Sequence, residues 1–205
     1  MSPDLATDRL ADLLGDRLRR DVPLGPMTTY RVGGAASMFV DVRSLDDLVA
    51  VAEMRADTGV PVLVVGRGSN MLVADSGFDG VALSIAGFAD HIVIPDGDHR
   101  DDPSESAQRI VAAGGGVALP VLARRTAAAG ITGFEWAVGV PGSVGGAVRM
   151  NAGGHGSDMA ACLVDVDVFD MDDPGSGLST RPADELGLRF RASGLAPSQI
   201  VVEAR

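Results

Sequence analysis

Apolar and polar positions alternate at helical spacing in three parts of the chain. Four leucines on one stripe near the N-terminus predict an amphipathic helix over residues 1–20. Ser44, with Asp47 three residues later, has the pattern of a helix N-cap and predicts a second helix over residues 45–57. A third helix is predicted over residues 117–129, and Gly130 is its stop signal.

Short apolar runs between these helices predict strands. The acidic stretch 96–105 is predicted as a solvated hairpin loop, and residues 172–177 as a turn. Because helices and strands alternate irregularly, the pattern favours an α+β chain of two lobes, residues 21–86 and 87–205, dividing near Gly87. The predicted strands are residues 28–32, 38–42, 62–65, 71–74, 81–85, 91–94, 108–113, 163–171 and 200–202.

The composition is that of a globular protein. The chain has 205 residues, of which 46% are hydrophobic and 22% charged, enough to bury a core. No apolar run is long enough to predict a membrane span, and no leading apolar segment suggests a secretory signal. The single cysteine, Cys162, excludes an internal disulfide framework. Together these features predict a cytoplasmic protein.

The charge balance narrows the classes of ligand. Seventeen basic residues against 28 acidic ones give a net charge of −11, which makes nucleic acid and anionic membranes poor partners. All the basic residues are arginines, so a phosphate loop or a Schiff base built on lysine is excluded. A phosphorylated ligand would be held by main-chain amides, helix N-termini and arginines. The three histidines are scattered, so no metal site is expected.

Two glycine-rich segments are the candidates for chemistry. The first is Gly66-Arg67-Gly68-Ser69-Asn70, which follows a predicted strand directly. Its successive N–H groups and its hydroxyl and amide side chains can grip a diphosphate. A simple turn that needs positive φ explains the same short motif, so the two interpretations stay open. A Rossmann fingerprint is excluded, because an apolar strand and not a helix is predicted after it.

The second segment, residues 139–147, is richer in glycine. Pro141 stiffens its entry, and Ser143 can cap a short helix whose N-terminus would face an anion. Gly145 and Gly146 leave space where a flat or bulky group would lie. Glycines this dense weaken an ordinary helix, so a purely structural explanation is strained.

In their order and spacing, these segments resemble the UDP-N-acetylenolpyruvoylglucosamine reductase family, flavoenzymes of peptidoglycan precursor synthesis. The resemblance implies a two-lobed FAD-binding domain of the vanillyl-alcohol oxidase/PCMH type. It further implies FAD as cofactor, NADPH as co-substrate and a UDP-sugar as the small-molecule substrate. The matching segments are residues 28–34, 66–72, 75–80, 112–116 and 133–153.

The resemblance also implies which residues form the site. In the family the two glycine-rich segments hold the FAD diphosphate and flank the isoalloxazine ring. A Gly-Tyr-Arg-x-Ser motif places the catalytic arginine at Arg191, although Arg189 and Phe190 stand here for the usual Gly and Tyr. A planar guanidinium can grip a carboxylate and stabilise enolate charge. The implied cofactor-binding residues are Gly66, Gly68, Ser69, Asn70, Met71, Leu72, Gly139, Pro141, Gly142, Ser143, Gly145, Gly146 and Asn151.

Three functional hypotheses follow. The first is a flavin reductase whose substrate-binding C-terminal domain, with its serine proton donor, is expected to be absent because the chain stops at Arg205. The second is an oxidase of the same flavin fold, disfavoured because no histidine for covalent attachment stands near Ser69. The third is a flavin-holding domain without turnover, favoured by Phe190 and by the expected absence of that domain. His155 is interpreted as solvated, and Trp136 as a core residue.

Overall fold

Two β-sheets, one mixed and one antiparallel, form the framework of the chain. The computed structural model describes residues 3–95 and 109–205, so the predicted loop at 96–105 lies outside the described residues. The helices are α1 Pro3–Leu14, α2 Leu45–Thr58, α3 Leu119–Ala128 and α4 Val144–Arg149. The strands are β1 Leu18–Pro23, β2 Ala35–Asp41, β3 Val62–Val64, β4 Phe78–Ser84, β5 Ile92–Val93, β6 Ala112–Gly114, β7 Gly153–Gly154, β8 Ser157–Asp158, β9 Asp165–Asp170, β10 Leu178–Pro182 and β11 Gln199–Ala204.

The first sheet has the order β1-β2-β4-β3. Strands β2, β4 and β3 are parallel, and β1 is antiparallel to β2. Helix α2 connects β2 to β3, as parallel strands require. It begins at Ser44, whose Oγ accepts the N–H of Asp47 at 3.3 Å, and it ends at Gly59 in the left-handed region with φ 70°. The predicted cap and helix are therefore confirmed.

The second sheet is antiparallel, with the order β10-β9-β11-β6-β5, and its strands β9 and β11 are buried on both faces. On one face Phe169 and Ile200 pack into the core that α1, α2 and the first sheet share. On the other face Val168 and Val201 pack into a second core with α3 and α4. Because one sheet contributes to both cores, the two halves of the chain are joined by apolar packing.

The N-terminal helix is shorter than predicted. It ends at Leu14, because Gly15 adopts φ 53° and the Arg17 side chain caps the helix by donating to the carbonyls of Leu13 and Leu14, each at 2.9 Å. The chain then enters β1 at Leu18, a strand that the leucine spacing concealed.

The predicted strand at 28–32 is wrong. Pro26 lies in a 3₁₀ turn that precedes it. The Thr28 hydroxyl then donates to the Gly25 carbonyl at 2.9 Å and accepts the Arg31 N–H at 3.1 Å. Local hydrogen bonds of this kind compete with a sheet ladder, so the segment forms a turn.

Of the other predicted strands, one is absent, one is shifted and the rest are observed. Residues 71–74 form no strand. The carbonyl of Ala74 accepts hydrogen bonds from the N–H groups of Gly34 and Gly77, and not from a neighbouring strand. The strand predicted at 108–113 is observed as β6, shifted towards its C-terminal end. Strand β10 and the β7–β8 hairpin were not predicted. The strands predicted at 38–42, 62–65, 81–85, 91–94, 163–171 and 200–202 and the helix at 117–129 are confirmed within one to three residues at each end.

The lobe boundary near Gly87 stays a prediction. The strands of the first sheet end at Ser84 and those of the second begin at Ile92, which is compatible with it. The α+β class itself is confirmed. No helix in the described residues is long and apolar enough to cross a bilayer.

An ion-pair network stabilises the outer part of the second sheet, and we expect it to weaken in acid. Arg205 contacts Asp165 at 2.7 Å and Asp167 at 2.5 Å, and the Thr180 hydroxyl donates to Asp167 at 2.6 Å. Burial opposes the charge on Asp167, but hydrogen bonds from Arg205 and Thr180 outweigh it and hold the pKa of this carboxyl below its usual value.

Asp167→Asn is expected to reduce the free energy of unfolding at pH 7 by about 1–2 kcal/mol. A carboxyl with a depressed folded pKa stabilises above its unfolded pKa, so the difference between native protein and variant should shrink as the pH falls below about 4. Urea unfolding at pH 7 and pH 3 measures this. Asp184→Asn, at an exposed carboxylate outside the network, is the control. An Asp167→Asn deficit that persists unchanged at pH 3 would contradict the prediction.

Candidate functional site

The two glycine-rich segments meet in space. We call residues 66–72 the first glycine turn and residues 139–146 the second glycine turn. The Ser69 hydroxyl donates to the carbonyl of Pro141 at 3.4 Å. A Cβ on Gly66 would lie 2.6 Å from the Ser143 Oγ, which leaves no room for a side chain there. The contact therefore requires glycine, and it brings together residues that are more than seventy positions apart in the sequence.

The first glycine turn carries unpaired main-chain donors. In the part of the chain that the structure describes, the N–H groups of residues 66–73 donate no hydrogen bond to a protein acceptor. Strand pairing of this segment ends just before it, with the N–H of Val65 on the carbonyl of Leu83. Successive unpaired N–H groups are the donors with which proteins bind phosphate oxygens. The turn therefore fits an anionic diphosphate.

Residues 27–29 hold the first glycine turn in place. Gly68 is buried with φ 63°, and its carbonyl accepts the N–H of Thr29 at 3.1 Å. A Cβ on Gly68 would overlap the carbonyl of Met27. This is the structural role of the segment that was predicted as a strand.

The second glycine turn is different, and the expectation that its helix N-terminus faces an anion is corrected. Ser143 caps α4 as predicted, because its Oγ accepts the N–H of Gly146 at 3.4 Å. The N–H groups of Val144 and Gly145 donate to the carbonyls of Val117 and Gly115, each at 2.9 Å. Since these donors are used within the protein, the turn contributes shape to the site and few free hydrogen-bond donors.

A cleft of about 100 Å³ opens between the two sheets, beside both turns. We call it the inter-sheet cleft. Gly66, Ser143, Gly145 and Gly146, four of the residues expected to bind a cofactor, line it. The other described residues that line it are Val64, Ser84, Ile85, Ala86, Gly115, Gly116, Arg149, Gln199, Ile200 and Val201.

Arg149 is the charged residue of the described cleft lining, and sequence reasoning missed it. Its guanidinium donates to the carbonyls of Leu195 at 3.4 Å, of Ala196 at 2.9 Å, and of Gln199. Burial lowers the pKa of this arginine from its usual value. The available signal was that Arg149 is the only charged residue in the glycine-rich stretch 139–154.

Several implied cofactor residues lie outside the cleft lining. Asn70 and Leu72 are exposed, and Met71 packs against the core of the first sheet. A Cβ on Gly142, which has φ 128°, would lie 3.2 Å from the Ser69 Oγ. Gly139 lies against the ring of His155, which is itself exposed as expected. The part that these positions play in binding a cofactor stays a prediction.

Asn151 has a structural task that the sequence did not indicate. Its Nδ2 donates to Asp158 Oδ2 at 3.0 Å, and its Oδ1 accepts the N–H of Ala160 at 3.0 Å. The residue is buried with φ 39°. Both ends of its amide therefore hold the β7–β8 hairpin against α4.

Arg191 lies on a tight exposed turn. Arg189 and Ala192 exchange two main-chain hydrogen bonds of 3.0 Å, which leaves Phe190 and Arg191 at the tip. Phe190 is 89% exposed, and the Arg191 guanidinium lies 5.8 Å from the centre of its ring. The structure does not place Arg191 in the lining of the inter-sheet cleft, so its catalytic role stays a prediction.

Two further side chains are part of the core. Trp136 is buried, as expected, and its ring meets that of Phe134 edge to face at 5.3 Å between centroids. Burial raises the pKa of the Cys162 thiol to about 11, so this cysteine is protonated at neutral pH. Among the described residues, no group of three or more His, Cys, Asp or Glu side chains is placed to hold a metal ion.

Comparison with known proteins connects this geometry to a cofactor. The family model described as "FAD binding domain" matches residues 36–173. A UDP-N-acetylenolpyruvoylglucosamine reductase of Synechococcus sp. (strain RCC307) is 40% identical over 186 residues, which cover 90% of this chain and 56% of the relative. One from Agathobacter rectalis is 36% identical, over 92% of this chain and 59% of the relative. The chain thus spans a little more than half the length of these curated relatives.

Solved structures agree with the sequence comparison. The UDP-N-acetylenolpyruvylglucosamine reductase from Thermus caldophilus is similar, with a TM-score of 0.70 and 32% identity, over 92% of this chain and 61% of that one. A vanillyl-alcohol-oxidase-type flavoprotein from Myceliophthora thermophila C1 has a TM-score of 0.66 at 14% identity, over 98% of this chain and 46% of that one. The second likeness shows the fold alone. The expected vanillyl-alcohol oxidase/PCMH fold is confirmed.

The free energy of unfolding of a Gly68 variant should show how tightly the first glycine turn is packed. Gly68→Ala places a methyl group against the Met27 carbonyl and keeps the left-handed φ of 63°. Gly59→Ala is the matched control, since its φ is 70° and nothing lies within 4 Å of an added Cβ. We expect Gly59→Ala to cost about 1–2 kcal/mol and Gly68→Ala about 1–3 kcal/mol more, measured by urea unfolding. Equal losses would show that the close packing at Gly68 contributes nothing.

Proposed function

Because the chain belongs to the FAD binding domain family, we propose that it is the flavin-binding part of a UDP-N-acetylenolpyruvoylglucosamine reductase. The unpaired N–H groups of residues 66–73, next to an inter-sheet cleft, are the observation that carries this proposal. They supply donors for a diphosphate in a chain that has no lysine to do so. The similarity to such reductases over about nine tenths of the chain supports the reaction proposed.

In the proposed binding mode, two parts of the cofactor contact two different parts of the protein. The diphosphate lies on the first glycine turn, and the rest of the dinucleotide occupies the inter-sheet cleft beside Gly145 and Gly146. Bound there, FAD would supply the redox chemistry: a hydride originating from NADPH would reach the enolpyruvyl group of UDP-N-acetylglucosamine enolpyruvate, and a proton from a general acid or water would complete UDP-N-acetylmuramate. The chain's own contribution is to hold and orient the cofactor and to offer charge to the substrate.

Arg191 is the proposed charge donor to the substrate. Its turn is exposed, so a carboxylate can reach the guanidinium from solvent. The permanent charge of arginine suits both the carboxylate and the enolate-like charge that develops at the carbon next to it. Phe190 gives the turn an exposed aromatic ring and no phenol, so this chain uses one hydrogen-bonding group fewer than the family pattern.

Two alternatives make different predictions about the flavin. An oxidase of this fold with covalently attached FAD needs an attachment residue, and the first glycine turn contains no histidine or cysteine. A domain that holds flavin without turnover would bind FAD and leave NADPH unoxidised. The relatives that match this chain are named as reductases, which favours turnover over a domain that only holds flavin.

The first test is flavin binding with a blocked cleft. Only the Ser143 Oγ lies within 4 Å of a Cβ added to Gly146, so alanine fits there and a leucine side chain extends into the inter-sheet cleft. We expect Gly146→Leu to fold, because leucine favours a helix over glycine, and to lose FAD binding at least about a hundredfold. Gly146→Ala should bind FAD within about threefold of the native protein. Flavin fluorescence quenching measures the dissociation constants.

A native protein that takes up no FAD would contradict the proposed function. Bound flavin that stays on the polypeptide after acid denaturation would favour the covalent oxidase. If Gly146→Leu bound FAD as tightly as Gly146→Ala, the inter-sheet cleft would not be the cofactor site.

The second test is turnover. In the protein loaded with FAD, NADPH oxidation should be stimulated by the enolpyruvyl substrate, and Arg191→Ala should lower kcat at least about a hundredfold while FAD binding is unchanged. Arg189→Ala, two residues away on the same exposed turn, is the control and should keep most of the activity. NADPH oxidation that ignores the enolpyruvyl substrate would identify a flavin-holding domain.

A further inference from the structure

Arg149 carries the one charge of the inter-sheet cleft. Among the described residues that line the cleft it alone is ionisable, and the others are glycines, small hydroxyl or aliphatic residues and one glutamine. Within residues 3–95 and 109–205, no carboxylate lies within ion-pair distance of its guanidinium. This is notable in a protein with 28 acidic residues and a net charge of −11.

The hydrogen bonds of Arg149 hold it without neutralising it. All three hydrogen bonds that Arg149 donates go to main-chain carbonyls of residues 195, 196 and 199, at the entry to β11. Carbonyl oxygens satisfy the N–H donors of the fork but carry no formal charge. A half-buried charge without a counter-ion is costly, and the lowered pKa of Arg149 reflects that cost. Such a group is retained where a ligand supplies the missing charge.

The opposite charge is predicted to arrive with the ligand. The second glycine turn has used the N–H groups at the start of α4, so its main chain has little left to offer an anion. Arg149 is the last residue of α4 and lines the same side of the cleft. It is the remaining source of positive potential on that side. Two negative charges of a dinucleotide diphosphate would then meet N–H dipoles on one side and a full charge on the other.

We propose that Arg149 is an electrostatic anchor for the diphosphate of the dinucleotide, acting through its net charge across the inter-sheet cleft. This inference rests on the proposed function, since it presumes that a flavin dinucleotide occupies the cleft. The competing explanation is that Arg149 only clamps residues 195–199 to α4. The two differ in one respect: a clamp depends on hydrogen bonds and serves every ligand alike, whereas an anchor depends on charge and serves only phosphorylated ligands.

The experiment compares two variants and two ligands. Arg149→Gln removes the charge and keeps N–H donors for the carbonyls, while Arg149→Lys keeps the charge and loses the planar fork. FAD carries the diphosphate, and riboflavin has the same ring system without phosphate. Dissociation constants are measured by fluorescence at about 20 mM and about 500 mM salt, since an exposed electrostatic contribution is screened at the higher concentration.

At low salt, Arg149→Gln should weaken FAD binding about tenfold or more and riboflavin binding less than about twofold. Arg149→Lys should recover most of the loss for FAD, and the salt dependence of FAD binding should be smaller in Arg149→Gln than in the native protein. Arg181→Gln is the matched control, because Arg181 also donates to a carbonyl and to Gln199 but does not line the cleft. It should leave both ligands within about twofold.

Equal weakening of FAD and riboflavin, or no weakening at all, would overturn the inference while the proposed function stood. An Arg149→Lys variant as defective as Arg149→Gln would do the same, since it keeps the charge. If the native protein bound neither ligand, the proposed function would fail first and this inference with it.

Discussion

The structure depends on close contacts between backbone segments at glycines, where no side chain separates the two segments. A Cβ on Gly115 would overlap the carbonyl of Val201, and one on Gly145 would lie 3.1 Å from the same oxygen. These contacts bring α4 and the loop after β6 against β11, while Gly66 brings the first sheet against Ser143. Only glycine permits such approaches. The wall of the inter-sheet cleft is therefore built largely of backbone, whose shape does not vary with side-chain rotamers.

A second constraint keeps that wall rigid. Strands β9 and β11 of the antiparallel sheet are buried on both faces, whereas many antiparallel sheets leave one face to solvent. Arg55 of α2 adds an ion pair of 2.5 Å to Asp172 beyond β9. Opening the cleft by a hinge would expose the shared core at Phe169 and Ile200, so the site is held preformed by packing. Sites that bind small molecules and cofactors are usually preformed in this way.

The positions of the glycines were enough to predict which segments form the site. Which of their N–H groups are already hydrogen-bonded within the protein could not be predicted from the sequence. The two turns were predicted because glycine is needed wherever backbones approach, and the structure brings them together at Ser69 and Pro141. That the N–H groups of Val144 and Gly145 are used internally depends on long-range partners, which no local pattern reveals. Arg149 was missed for a similar reason, since nothing in its neighbours shows that it faces a cleft without a carboxylate. Strand β1 was hidden because a leucine period continued past Gly15, where the backbone had already left the helix.

The irregularity in β11 determines which residues face the second core. Val201 pairs with Val168 and Glu203 pairs with Asp167, so Val202 is the extra residue of a bulge. In a regular strand of the same residues, without the bulge, strict alternation would turn the Glu203 carboxylate towards the apolar residues around α3 and remove Ala204 from them. With it, Glu203 contacts Arg205 at 2.6 Å beside the acidic edge of β9. One strand can thus place Ile200 and Val202 in the core shared with α1 and α2, and Val201 and Ala204 in the core with α3 and α4, while the Glu203 carboxylate stays paired with Arg205.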